Sequence, residues 1–172
     1  MQDLVTIVLA VKGDKNAFSE LMHSREKKLY KIAFMYVKNE QGALDIVSEA
    51  VYRAYLNIKK LKTPEFFDTW LVKIVINSSM DYLRKNRITV PIEDAEVCAH
   101  LSDGPSVELY SLIDCLDSKL KTVIILKYFE EYTIPEISKI MNCPESSVKN
   151  YLHKALVKLR LELKEGLEYE GV

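Results

Sequence analysis

The chain has 172 residues, 48% hydrophobic and 28% charged, with a net charge of −1; that balance excludes a disordered tail and fits one large domain or two small ones. Five Gly and five Pro leave little turn material for a many-stranded sheet, so an all-α protein is expected. Cys98, Cys115 and Cys143 lie far apart with no His at ligand spacing, which argues against a disulfide framework or a zinc site and for free thiols in a reducing cytoplasm.

Leu4–Val11 reads as a short core helix closed by Gly13 and Asp14. It is too short for a membrane span and has no basic flank or cleavage site, so it is not read as a signal peptide. A second helix is expected from Asp14 to about Lys38, where Asn39 breaks it. A third runs from Gln41 to about Lys60. Its apolar set is Ala43, Leu44, Ile46, Val47, Ala50, Val51, Ala54, Tyr55 and Ile58, and its polar face carries Asp45, Ser48, Glu49, Tyr52 and Arg53.

A basic connection with Pro64 leads to a fourth helix, Phe66 to Arg87. Trp70, Leu71, Ile74, Val75 and Leu83 would face a core, and the far end is polar and basic. Aromatic residues among cations suit single-stranded nucleic acid, where bases stack and phosphates pair; a plain core role for Phe66, Phe67 and Trp70 competes. The expected boundaries are a first domain over 1–88, an acidic flexible linker over 89–105 that contains Asp103-Gly104-Pro105, and a second helical domain over 106–172. That second domain opens with a helix over Ser106–Leu116, then one capped by Asp117 or Ser118 and running to about Tyr132.

Thr133 to Arg160 is the most informative stretch. Thr133 and Glu136 have capping-box spacing, Pro135 fits a first turn, and Asn142 suits the left-handed residue that ends a helix. Pro144 and Glu145 open the next helix, whose buried stripe is expected to be Val148, Leu152, Ala155, Leu156 and Leu159. Ser147, Lys149, Asn150, His153, Lys154, Lys158 and Arg160 lie on its other face. A short helix, a tight turn and a longer helix with a polar, basic start form the helix-turn-helix pattern. The competing reading is an ordinary helical hairpin with a solvated charged face. Residues from Glu165 onward are acidic and expected to fray.

The charge distribution supports the DNA reading. Residues 1–90 hold 15 Lys/Arg against 10 Asp/Glu, residues 91–111 hold five acids and no base, and 138–160 hold five bases against Glu145. Two basic regions are thus separated by an acidic connector. No phosphate-binding glycine loop, metal-ligand motif or nucleophile–base set is present. No catalytic residue, metal, cofactor or small-molecule substrate is expected, and the chain is read as a non-enzyme.

The segments KNEQGALDIVSEAV and FDTWLVKIVINSSMDYLRKNR resemble region 2 of bacterial sigma-70-type sigma factors through Asp45, Trp70, Leu71, Asn77, Asp81, Leu83 and Arg84. The stretch from Leu120 to Arg160 resembles their region 4. With no room for regions 1.1 and 3, the chain is similar to the small extracytoplasmic-function (ECF) subfamily. It departs from the family pattern at Ser48, where Gln is common, at Tyr151 and Lys154, where Arg is frequent, and at Ser147, often Thr.

The resemblance implies a region 2 helical bundle and a region 4 helix-turn-helix. It places Asp45, Ser48, Glu49, Tyr52 and Arg53 against core RNA polymerase, with a solvated role for Glu49 the alternative. Lys60, Lys62, Phe66, Asn77, Asp81, Arg84, Lys85 and Arg87 would capture the −10 element of promoter DNA, although Arg84 could instead pair with Asp81. Ser147, Lys149, Asn150, His153, Lys154, Lys158 and Arg160 would meet the −35 duplex. It also implies an anti-sigma partner, often membrane-anchored, holding an otherwise cytoplasmic protein. Two other readings stand beside it: a one-component helix-turn-helix regulator that binds duplex DNA as a dimer, and a helical adaptor with no DNA role.

Overall fold

The computed structural model describes residues 2–86 and 107–169, with side chains described over 3–86 and 109–161. All regular structure among the described residues is helical. The chain divides into two compact units, Met1–Asp94 and Ala95–Val172. The expected linker, together with Arg87 and Cys98, lies outside the described residues.

Among its described residues the first unit holds α1 (Gln2–Val11), α2 (Lys15–Val37), α3 (Glu40–Asn57) and α4 (Phe67–Lys85). The caps follow from side-chain chemistry. Asp14 accepts from the N–H groups of Asn16 (2.9 Å) and Ala17 (3.0 Å) at the start of α2. α2 ends on Lys38 in the left-handed conformation. Asn39 does more than break α2: its Oδ1 accepts from Gly42 N–H at 2.6 Å and so caps α3. Gly42 is needed there because a Cβ would stand 2.8 Å from that oxygen and 2.9 Å from the Tyr82 hydroxyl.

The core of this unit is Leu21, Leu29, Ile32, Met35, Ile46, Phe67, Leu71 and Val72, each at most 1% exposed. α2 packs on α1, α3 and α4, and α3 packs on α4. Small residues on α3 (Ala43, Ala50, Ala54), all fully buried, admit close approach. α3 stops at Asn57, short of Lys60, because the chain tightens into a 3-10 turn at Ile58–Lys60. A second such turn at Pro64–Phe66 precedes α4, which begins at Phe67. Leu83, expected in the core, is 38% exposed, and Leu44 and Tyr55 of the α3 apolar set are each 45% exposed. The two helices carry more apolar surface than one contact face can bury.

The second unit holds α5 (Val107–Asp114), α6 (Ser118–Ile124), α7 (Ile134–Met141) and α8 (Glu145–Tyr169). α6 ends at Ile124, well before Tyr132, and passes into a π-helical turn at Ile125–Phe129. Ile113, Leu116, Leu120, Ile124, Ala155 and Leu159 form one buried cluster. Lys121 is buried and its Nζ donates to Asp114 Oδ1 at 2.6 Å, which joins α5 to α6 without leaving an unpaired charge. α8 remains helical as far as Tyr169, beyond the expected fraying point at Glu165.

Candidate nucleic-acid and polymerase interfaces

The helix-turn-helix is built by local chemistry. Glu136 Oε2 accepts from the Thr133 N–H (2.8 Å) and the Thr133 hydroxyl (2.6 Å), which ties off the start of α7. Asn142 takes φ 51° and ψ 49°, and its N–H returns to the carbonyls of Lys139 and Ser138. Ser138 Oγ donates to the Cys143 carbonyl at 2.6 Å, so the turn is held from both sides. α8 then starts at Glu145, whose carboxylate suits the positive helix end.

Ile137, Ile140, Val148, Ala155 and Leu159 are buried and seat α7 and α8 on the rest of the unit. Leu156, expected in that stripe, is 41% exposed; Leu152 is half-buried. Lys149, Asn150, His153, Lys154, Lys158 and Arg160 are exposed and Ser147 is half-buried. The expected DNA-facing set therefore sits on one rigid helix with a water-facing surface. His153, Lys154 and Lys158 also line a depression of about 550 Å³ with Tyr151, Lys119 and Asp117. Lys119 Nζ lies 5.8 Å from the Tyr151 ring centroid, and Lys158 Nζ is 3.4 Å from Asp117 Oδ2. Lys119 is an added cation beside the recognition helix that periodicity on α8 alone does not reveal.

On the first unit, Asp45, Ser48, Glu49 and Tyr52 are exposed on α3 and Arg53 is half-buried. Asp45 Oδ1 accepts from Gln41 Nε2 at 3.0 Å. Glu49 is not merely solvated: its Oε1 accepts from Arg53 Nε at 2.6 Å. Arg53 Nη1 in turn donates to Asp81 Oδ2 at 2.8 Å, and Arg84 Nη2 donates to Asp81 Oδ1. A chain Glu49–Arg53–Asp81–Arg84 thus links the residues expected against polymerase with those expected against −10 DNA. The hydrogen bond from Arg53 holds the Asp81 carboxyl below the usual carboxylate range, with Arg84 adding to it. Leu44, Tyr55 and Leu56 stand exposed along the same side of α3 as Ser48 and Tyr52.

The connection between α3 and α4 presents Lys60 and Lys62 to solvent and leaves Phe66 42% exposed, whereas Phe67 is fully buried. Lys60 Nζ donates to Asn57 Oδ1 at 2.9 Å. Arg53, Asn57, Lys60, Trp70, Ile74 and Asn77 line an open depression of about 310 Å³. An aromatic wall, an amide edge and two cations at one hollow suit a base with its phosphate. Lys85 is exposed in the last turn of α4. Among the described residues, no group of three or more His, Cys, Asp or Glu is arranged to hold a metal ion.

Comparison with known proteins assigns both units to one family. Residues 21–88 match the model for sigma-70 region 2, and residues 106–159 match that for sigma-70, region 4. The chain is 34% identical over 143 residues to the RNA polymerase sigma factor SigV of Bacillus subtilis, covering 80% of this chain and 86% of that one. It is 33% identical over 174 residues to the ECF RNA polymerase sigma factor SigW of the same organism, covering 90% and 92%. Its fold is similar to that of CnrH, solved in complex with the cytosolic domain of CnrY (TM-score 0.76, 21% identity, 96% of this chain and 99% of that one). It is also similar to the sigma factor RpoE of Bartonella quintana, solved with the anti-sigma factor NepR (TM-score 0.69, 16% identity, 86% and 96%). The chain belongs to the sigma-70 family of RNA polymerase sigma factors, in its ECF group.

Proposed function

We propose that this ECF sigma factor binds core RNA polymerase through the exposed face of α3, captures the −10 element with the α3–α4 connection and α4, and reads the −35 duplex with α8. The observation that carries this reading is the recognition helix. α8 is anchored by fully buried Val148 and Ala155, so Lys149, Asn150, His153 and Lys154 project to solvent from a fixed base. Asn suits the adenine edge, and Lys reaches either guanine or phosphate. Ser147, Lys158 and Arg160 extend the same contact.

In this reading Tyr52 anchors the polymerase contact, with Asp45, Ser48, Glu49 and Arg53 around it. Phe66 stacks on a base displaced from the duplex, and Asn77 offers it a polar edge. Lys60, Lys62, Lys85 and Arg87 meet phosphates. Asp81 stands in the same −10 surface and orders Arg53 and Arg84 there. The chain supplies specificity to initiation and leaves phosphodiester chemistry to the polymerase.

An anti-sigma factor is the expected inhibitory partner, as CnrY and NepR partner the two structural neighbours. No helix among the described residues is long and apolar enough to cross a membrane. Fluorescence anisotropy of a promoter duplex tests the reading against a free-standing regulator. Binding should need both core polymerase and this chain. Tight binding by the chain alone, as a dimer, would favour the regulator.

A further inference from the structure

We propose that Arg25 is a positioning residue for −10 capture: it clamps α1 and the start of α4 together and so fixes the loop that presents Lys60, Lys62 and Phe66. The inference rests on the functional reading above and names a residue that reading does not use.

Arg25 lies on α2, remote in sequence from the loop, yet its guanidinium makes three separate contacts to α1 and the start of α4, which border that loop. Nη1 and Nη2 donate to the two carboxylate oxygens of Asp3 on α1, at 3.0 and 2.6 Å. Nε donates to Asp68 Oδ1 in the first turn of α4, at 3.0 Å. The guanidinium carbon stands 5.6 Å from the ring centroid of Phe67, the buried neighbour of exposed Phe66. The Arg25 side chain is only 13% exposed, against 61% and 50% for the two carboxylates. A charge so poorly hydrated depends on its partners, and the planar fork fixes their angle as well as their distance.

The clamp acts on the loop through α1. That helix packs against both 3-10 turns, Ile58–Lys60 and Pro64–Phe66, which flank Leu61–Thr63. At its end, Gly13 at φ 103° sits so close to Lys59 that a Cβ would meet Cε at 3.2 Å. On the α4 side, Phe66 N–H donates to the Thr63 carbonyl (3.0 Å), and Thr69 Oγ1 donates to the Phe66 carbonyl (2.9 Å). The backbone that carries the stacking ring is therefore held between two elements that Arg25 ties to each other. The hydrogen bond from Arg25 also holds the Asp3 carboxyl below its usual range.

The test uses full-length protein with core polymerase and a promoter that the wild-type holoenzyme transcribes. The readout is the ratio of affinities for the non-template −10 strand and for a scrambled strand of equal composition, both as fluorescent oligonucleotides. Core affinity and thermal midpoint are measured alongside. Asp3→Asn and Asp68→Asn should each lower that ratio by roughly two- to fivefold, the scale of one exposed ion pair. Arg25→Ala should lower it by about tenfold or more, since it removes both pairs and the ring contact. Asp3→Glu, which keeps the carboxylate, should retain the wild-type ratio, and core affinity should not change in the Asn variants. An unchanged ratio in all three charge-removing variants overturns the clamp. So does a fall in the Asn variants matched by an equal loss of core affinity, which marks a merely structural role. A wild-type protein that opens no promoter with core polymerase would instead sink the functional reading itself.

Discussion

Ile137→Ala separates support of the recognition helix from its contacts. Ile137 is fully buried on α7, which packs directly on α8. Ile-to-Ala truncation at such a site costs about 2–5 kcal/mol, because transfer and cavity terms add. In a unit of this size each 1 kcal/mol shifts the midpoint by roughly 4–8 °C, so a cost near 3 kcal/mol lowers it by roughly 12–24 °C. Differential scanning calorimetry of the full chain should show this loss in the transition that includes the second unit. Affinity for a −35 duplex should fall with it, while affinity for core polymerase through α3 should persist. Lys149→Ala is the matched control: exposed, within about 0.5 kcal/mol of wild type in stability, yet weaker on DNA. An unchanged midpoint for Ile137→Ala would refute the assignment of α7 as the packed support of α8.

Lys149→Ala should reduce the slope of log affinity against log salt by about 1, and Asn150→Ala should relax preference at one base by about 1–3 kcal/mol; salt-titrated anisotropy on a set of −35 variants checks both. Tyr52→Ala should weaken core binding by about 2 kcal/mol or more, as expected of a central aromatic anchor, with no change in thermal midpoint because the ring is 59% exposed. Asp81 titrates below its unfolded-chain value, so its ion pairs contribute in full above the ordinary carboxylate range and are lost as pH falls through the lower folded value. Unfolding free energy from pH 6 down to about 2, followed by thermal unfolding, should therefore fall more steeply for wild type than for Asp81→Asn, by less than about 1 kcal/mol for a partly exposed pair.

Much of this fold was legible because it is locally encoded. Asp14, Thr133, Glu136 and Asn142 cap helices through atoms within three or four residues, and the sequence carries each partner beside them. The exposed polar set on α8 was legible for the same reason, since one helical period assigns it. Leu83 and Leu156 are exposed against expectation because periodicity identifies apolar residues but not which of them find a partner. On α3 the same surplus leaves Leu44, Tyr55 and Leu56 exposed. The links from Arg53 to Asp81 and from Arg25 to Asp3 and Asp68 span 28, 22 and 43 residues. Nothing local announces them, because they arise only when the bundle closes. The π-helical turn at Ile125–Phe129 likewise has no local signal.

Run-off transcription by purified core polymerase on genomic promoter fragments, with and without this chain, tests sigma function most directly. Specific initiation should appear only when the chain is present and should disappear in the Lys149→Ala/Asn150→Ala double variant while core binding persists. Equal initiation from the double variant would contradict −35 recognition by α8, and no initiation from wild type would contradict the sigma function altogether.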